Sequence, residues 1–263
     1  MAEVKILDLY CGMGGLSLGF ALALDAEILG LDIDRHAVAT YNHNLGRFNC
    51  KAVIQDVLMW KPSGRWDVVM GGSPCQPFSL ANTKKRGKAH PLYPTFPRFF
   101  DIVLELRPKV FLLENVKGLV TRAHKHLLEE QLRRVELHYK VKWQVLNAAL
   151  YGVPQRRERL FVLGIRRDLD IDPSFPPQTH GSKPLATLNG GAIHRWVTVK
   201  EAIGDLLLIP PQNLAGLVYS QRQVERIRRE RRDTSRHLAK ICLLYTSDAA
   251  DELDGVDLGG RRI

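Results

Sequence analysis

Five short apolar runs in the N-terminal half of the chain each end on residues that a strand interior tolerates poorly. Asp8 to Gly15 closes the first run, Asp32 the second, Asp56 the third, Ser73 to Ser79 the fourth and Glu114-Asn115 the fifth. Amphipathic stretches separate the runs, and this alternation is the pattern of a parallel sheet flanked by helices. Spacing places strands at Val4–Leu9, Glu27–Leu31, Ala52–Ile54, Trp66–Met70, Val110–Leu113, Val141–Leu146 and Leu160–Ile165. Helical periodicity covers Leu16–Leu24, His36–Asn44, Phe96–Leu106 and Lys125–Val135. The expected class is α/β, a mostly parallel sheet with helices on both faces. Such sheets bind ligands beyond the carboxyl ends of their strands, so the five endings should converge on one cleft. Pro173, Pro176, Pro177 and the pair Gly190-Gly191 mark a loop-rich region where the alternation stops.

Composition narrows the class of function. The chain has 263 residues, 38 Lys+Arg against 28 Asp+Glu and a formal charge of +10. No apolar run approaches the roughly 18 residues of a spanning helix, and the N-terminus lacks the order of a secretory signal, so a cytoplasmic protein is expected. Four cysteines, Cys11, Cys50, Cys75 and Cys242, form no C-x-x-C pair, so no metal site is expected. The charge is uneven: Gln221 to Lys240 holds eight basic and three acidic residues, whereas Ile241 to Ile263 holds five acidic and two basic ones. A basic stretch suits nucleic acid, and equally the solvated face of a helix.

The motifs carry more. Asp8-Leu9-Tyr10-Cys11-Gly12-Met13-Gly14-Gly15 reads as a tight strand-to-helix turn whose glycines permit positive φ and close approach of a ligand. It does not match G-x-G-x-x-G, which disfavours a dinucleotide. On its own it could be a turn and nothing more. Asp32 is placed to accept hydrogen bonds from ribose hydroxyls and Asp56 from an adenine amine, so the set suggests a nucleoside-bearing cofactor without a phosphate cradle. Pro74-Cys75-Gln76-Pro77 belongs in a loop, because prolines on both sides stop helix and central strand alike. A nucleophilic Cys75 would need an electropositive setting, which Arg157, Arg159 or the run Lys84-Lys85-Arg86-Gly87-Lys88 could supply. Glu114, after an apolar strand, is a carboxylate whose partial burial would raise its pKa and fit it to deliver a proton. Alternate arginines in Gln155-Arg156-Arg157-Glu158-Arg159 should share one face of the strand they enter.

The strings DLYCGMGG, GGSPCQPFS, LLENVKGL and QRRERLFVLG, in this order and spacing, resemble the DNA (cytosine-5) methyltransferases over about Val4 to Pro210. That resemblance implies the Rossmann-like fold of S-adenosylmethionine-dependent methyltransferases, and DNA as substrate. It also implies a covalent route. Cys75 resembles the nucleophile that adds to C6 of a flipped cytosine, and Glu114 the acid that holds and protonates N3. Arg157 and Arg159 resemble the arginines that hold the base and orient the catalytic groups, with Asn115 beside them. Asp8, Tyr10, Gly12, Gly14, Asp32, Asp56 and Leu92 match positions of the S-adenosyl-L-methionine pocket, and Pro74 shapes the catalytic turn. The basic loop from Asn82 to His90 would be a lid over DNA. A restriction-modification setting with a paired endonuclease and a monomeric state are further expectations.

The resemblance weakens towards the C-terminus. Residues 1–170 are expected to form the catalytic and cofactor-binding domain, and 171–240 the lead-in to and start of an incomplete target-recognition region, with Trp196 to Leu206 as lead-in and Gln221 to Lys240 as its first part. Residues 241–263 resemble the in-frame translation of a sequencing adapter, and weak or no turnover is expected of the chain as it stands. Three other readings stay open: a transfer-RNA cytosine methyltransferase built on the same core, a cofactor- or DNA-binding fragment without chemistry, and a cysteine hydrolase, for which His90 is the nearby candidate base.

Overall fold

The computed structural model describes residues 4–79, 86–186 and 192–203. The described residues divide into two compact units, the first holding those up to Leu146 together with Glu158–Phe175, the second holding Asn147–Arg157 and the described residues from Pro176 to Ile203. The basic stretch from Gln221, the tail from Ile241, Lys84 and Lys85 lie outside the described residues.

The first unit is built on seven strands: β1 (Val4–Leu9), β2 (Ala26–Asp32), β3 (Cys50–Ile54), β4 (Val68–Gly72), β5 (Val110–Val116), β6 (Tyr139–Asn147) and β7 (Glu158–Arg166). Their order is β3-β2-β1-β4-β5-β7-β6. The pairs from β3 through to β5 are parallel, and β5 pairs antiparallel with β7. Strand order runs outward from β1 in one direction and from β4 in the other, so the switch point of the sheet falls between them. The carboxyl ends beside such a point form the ligand crevice of open α/β sheets. Because β7 runs backwards, its first residues lie at the same edge, with Arg159 opposite Val116.

Helices α1 (Gly15–Ala23), α2 (Arg35–Leu45), α3 (Thr95–Leu106) and α4 (Lys125–Val135) complete this unit. Local chemistry sets their limits. The Asp34 carboxylate accepts from the His36 and Ala37 amides and caps α2. Arg107 at φ 51° ends α3 directly before Pro108. On α4, Leu127, Leu128, Gln131, Leu132 and Val135 form the buried stripe. The core is aromatic along one line: Phe78, Phe96, Phe100, Phe111 and Tyr139 meet edge to face at centroid separations of 5.1 to 6.2 Å. Each fully buried ring contributes roughly 1.5–3 kcal/mol, and edge-to-face contact adds to that.

The second unit contains a small sheet in the order β8 (His180–Gly181), β10 (Ala192–Arg195), β9 (Leu185–Ala186), followed by α5 (Val199–Ile203). The loop-rich region inferred from its prolines therefore carries short strands. Among the described residues, no helix is long and apolar enough to cross a membrane.

Candidate active site

The turn after β1 departs from ordinary backbone geometry. Tyr10 has φ 59°, Gly12 φ 52° and Gly14 φ 94°. A bulky residue in the left-handed region costs about 1–2 kcal/mol, and Tyr10 is held there by its hydroxyl, which donates to the Thr95 carbonyl at 2.9 Å. The two glycines serve different ends. A Cβ on Gly14 would lie 2.3 Å from Leu45 Cδ1 and 2.8 Å from Tyr41 Cδ2, whereas one on Gly12 would meet nothing within 4 Å. Gly14 seats the turn on α2, and Gly12 presents its backbone to open space.

Carboxylates surround this turn. Asp32 Oδ2 accepts from the Gly12 amide at 2.8 Å and Oδ1 from the Asp34 amide at 2.9 Å, which ties the turn to the end of β2. Asp56 Oδ1 accepts from the Leu58 amide at 2.9 Å, shaping the turn that follows β3. Asp8 is buried beneath, its Oδ2 accepting from the Ser17 hydroxyl at 2.6 Å. Three acids about one turn oppose an anionic phosphate and suit a nucleoside bearing positive charge. Ile33, 69% exposed directly after Asp32, offers an apolar surface there that the motif reading did not single out. Its one sequence signal was an apolar residue following a strand-end acid. Leu92, also partly exposed, precedes α3 and accepts from the Thr95 amide and hydroxyl through its carbonyl.

The second focus is the turn after β4. The Cys75 carbonyl accepts from the Phe78 amide at 2.8 Å and the Ser79 amide at 2.9 Å, so the segment from Pro74 coils into a single turn with Cys75 half-buried at its start. Phe78 anchors it, packing on Phe96 at 5.1 Å and on buried His124 at 5.7 Å. His124 Nδ1 is 3.2 Å from the Gly118 carbonyl, which joins this turn to the loop after β5. Among the described cysteines, burial pushes the Cys11 thiol well up and the Cys50 thiol up to about 11, which suits both to packing. Cys75 is the remaining candidate nucleophile of the described chain.

Glu114 and Asn115 lie inside β5, which runs on to Val116, rather than after its end. Pleating sends them to opposite faces with different tasks. Asn115 is buried, and its amide donates to the Ser73 carbonyl at 3.1 Å and hydroxyl at 3.0 Å, stapling the approach to Pro74 and Cys75. It positions the turn. Glu114 pairs in register with Gly72, where a Cβ would lie 3.1 Å from Glu114 Oε2, so the glycine makes room for the carboxylate beside β4. Glu114 Oε1 is 3.1 Å from Arg159 Nε, both side chains being mostly buried.

The two arginines do not share a strand face. β7 begins at Glu158, and the Arg157 carbonyl accepts instead from the Ala148 amide at 2.9 Å, which makes Arg157 part of the second unit. Lys88 is committed to Glu130 at 3.0 Å on the surface. His90 Nδ1 accepts from the Leu92 amide at 3.1 Å, a turn contact that does not favour a hydrolase base. Among the described residues, no group of three His, Cys, Asp or Glu side chains is placed to hold a metal ion.

The profile of the C-5 cytosine-specific DNA methylase family matches residues 4–252. The chain is 34% identical to the Type II methyltransferase M.AgeI of Thalassovita gelatinovora over 83% of its own length and 55% of that protein's. It is 37% identical to M.MthTI of Methanothermobacter thermautotrophicus over 78% and 57% of the respective lengths. The chain thus spans about half the length of these two relatives. A third, M.AquIA of Picosynechococcus, is 32% identical over 86% of this chain and is covered over 98% of its own length. Among solved structures, a prophage-encoded E. coli protein described as a DNA modification methyltransferase superposes with a TM-score of 0.59 at 28% identity, covering 76% of this chain and 54% of that one.

Proposed function

The chain belongs to the C-5 cytosine-specific DNA methylase family, and from that premise we propose that it carries the chemistry of methyl transfer from S-adenosylmethionine to C5 of cytosine in DNA. The observation that carries the reading is the convergence, at one sheet edge, of the Cys75 turn with the Glu114–Arg159 pair. Cytosine C5 is a poor nucleophile. Addition of the Cys75 sulfur to C6 forms a C–S bond and pushes electron density towards C5 and N3, which divides one hard step into easier ones. Glu114, as its carboxylic acid, supplies or shares the proton at N3, and Arg159 fixes the side chain that does so. After C5 has taken its new substituent, loss of the C5 proton to a base re-forms the C5–C6 double bond and expels the Cys75 thiolate. The base must leave the duplex to reach these groups, at a cost of a few kcal/mol. We assign Arg157 to holding the extruded base.

The cofactor reading rests on the other half of the edge. The exposed backbone at Gly12, the Asp32 and Asp56 carboxylates, the apolar Ile33 and Leu92 and the buried Asp8 fit a cationic nucleoside. S-adenosylmethionine, when bound, supplies an electrophilic methyl group. Tyr10, Gly14 and Pro74 keep the two turns in shape, and residues 171–240 are assigned to the start of target recognition. A paired restriction endonuclease and a monomeric state belong to the same proposal. Incubating the chain with radiolabelled S-adenosylmethionine and either duplex DNA or transfer RNA tests it. Label at cytosine C5 of DNA supports the reading, and label confined to RNA turns it to the RNA substrate.

A further inference from the structure

Beneath the glycine turn runs a chain of hydroxyl and carboxyl groups. Tyr41, on α2 and fully buried, donates from its hydroxyl to Ser17 Oγ at 2.8 Å, and the Ser17 hydroxyl donates to Asp8 Oδ2 at 2.6 Å. Asp8 is 1% exposed, and its other oxygen, Oδ1, is buried without a hydrogen-bond partner among the described residues. Asp8 pairs in register with Gly30 of β2 and Met70 of β4, at the switch point of the sheet, two residues before Tyr10 opens the turn. The ring of Tyr41 is also the surface against which Gly14 is seated. The chain of groups therefore supports the turn and ends on an unsatisfied carboxyl oxygen at its base.

Among the described residues, the ionisable neighbours of Asp8 are all acids. Asp32 of β2, Cys11 of the turn, Tyr41 of α2 and Cys50 of β3 face it, and none carries positive charge. Burial, reinforced by the Asp32 charge and opposed by the Ser17 hydrogen bond, raises the Asp8 pKa to about 7. An isolated charge in such a place is costly unless paired. In the free protein near neutral pH, Asp8 thus holds its proton for much of the time. A cation brought to the Gly12–Asp32 clasp would reverse that balance by favouring the ionised carboxylate.

We propose that capture of the cationic cofactor is coupled to release of the Asp8 proton, so that Asp8 serves as a counter-ion that charges only when the cofactor arrives. This rests on the S-adenosylmethionine reading above and adds its regulation by pH. Below the apo pKa, affinity should tighten about tenfold per pH unit and level off above it.

Isothermal titration of the 263-residue chain with S-adenosylmethionine, at pH 6 to 8.5 in buffers of contrasting ionisation enthalpy, reads the proton count directly. Release of about 0.9 proton at pH 6, falling to about 0.1 at pH 8, is expected for a group with this pKa. The α-amino group of the ligand would give proton uptake at high pH, so the sign separates the two sources. Asp8→Asn should bind without release at pH 6, and 5′-methylthioadenosine, which has neither cation, should do the same with the wild-type chain. Binding without proton release by the wild type, or equal release by Asp8→Asn, overturns the coupling while leaving the cofactor reading intact. Absence of saturable binding by either nucleoside at any pH overturns both. Should Asp8→Asn not fold, the wild-type proton counts for the two ligands decide the matter alone.

Discussion

Arg159 Nε lies 3.1 Å from Glu114 Oε1, a pairing made possible because β7 runs antiparallel to β5 and returns its first residues to the edge where the parallel strands end. One reversed strand thus brings a cation from late in the sequence to a carboxylate 45 residues earlier. Arg159→Ala should remove a charge-assisted hydrogen bond worth about 1.5–3 kcal/mol and leave Glu114 poorly oriented. Covalent capture of cytosine should slow by about 10- to 100-fold. Arg159→Lys should recover only part of this, since an ammonium lacks the planar fork. Rates of adduct formation for the two variants check both statements.

Asn115 predicts a different failure. Its amide holds both the carbonyl and the hydroxyl of Ser73, so Asn115→Ala should destabilise the fold by about 1–3 kcal/mol through unsatisfied buried groups. It should also slow reaction at Cys75 without weakening cofactor binding. Asn115→Asp should do no better, because a carboxylate cannot donate to the Ser73 carbonyl. Urea unfolding, combined with binding titration, separates these effects.

The glycines of the first turn give a paired prediction. Gly14→Ala meets Leu45 and Tyr41 at impossible distances in a left-handed conformation, and should cost about 2–4 kcal/mol of stability. Gly12→Ala meets nothing, so about 1 kcal/mol of backbone strain is the expected stability cost. Yet Gly12 is the residue that faces the proposed ligand. Thermal unfolding should rank Gly14→Ala as the more damaging variant, whereas cofactor titration should find Gly12→Ala folded and weakened in binding.

Asp8 makes stability depend on pH in an unusual direction. Its folded pKa of about 7 is above the value of 3.8 in the unfolded chain. The stability associated with this group is therefore fully present below pH 3.8 and is lost as pH rises through 7, a change of about 4 kcal/mol at most. Asp8→Asn removes the titration. The variant should gain stability relative to wild type between pH 5 and pH 8, and unfolding free energies measured at both values test the sign.

Much of this was legible in the sequence, for identifiable reasons. The strand of residues 4–9 and the helix of 125–135 match their periodicity to the residue, because each has one clean boundary at either end. Propensity starts the fourth strand at the aromatic Trp66, two residues early, whereas the ladder runs from Val68 and uses Gly71 and Gly72. The glycines belong there because β1 passes close: a Cβ on Gly71 would lie 2.3 Å from the Leu9 carbonyl oxygen. Cys75, Glu114 and Asp32 could be found from motif and strand end alone. The partners could not. Which oxygen Arg159 meets, that Asn115 turns inward to Ser73, and that Ser17 and Tyr41 support Asp8 are consequences of sheet register and helix packing over long sequence separations. The spacing of Arg157 and Arg159 has the period of a strand and predicts one shared face, but the strand begins after the first of them.

The central claim is that Cys75 attacks the base. Its most direct measurement uses stoichiometric chain, S-adenosylmethionine and duplex DNA in which cytosine is replaced by 5-fluorocytosine, which blocks loss of the C5 substituent and traps the adduct. The account predicts a denaturation-resistant protein–DNA species whose modified peptide maps to Cys75, and its disappearance in Cys75→Ser. An adduct that persists in Cys75→Ser, or one that maps to another residue, would contradict it.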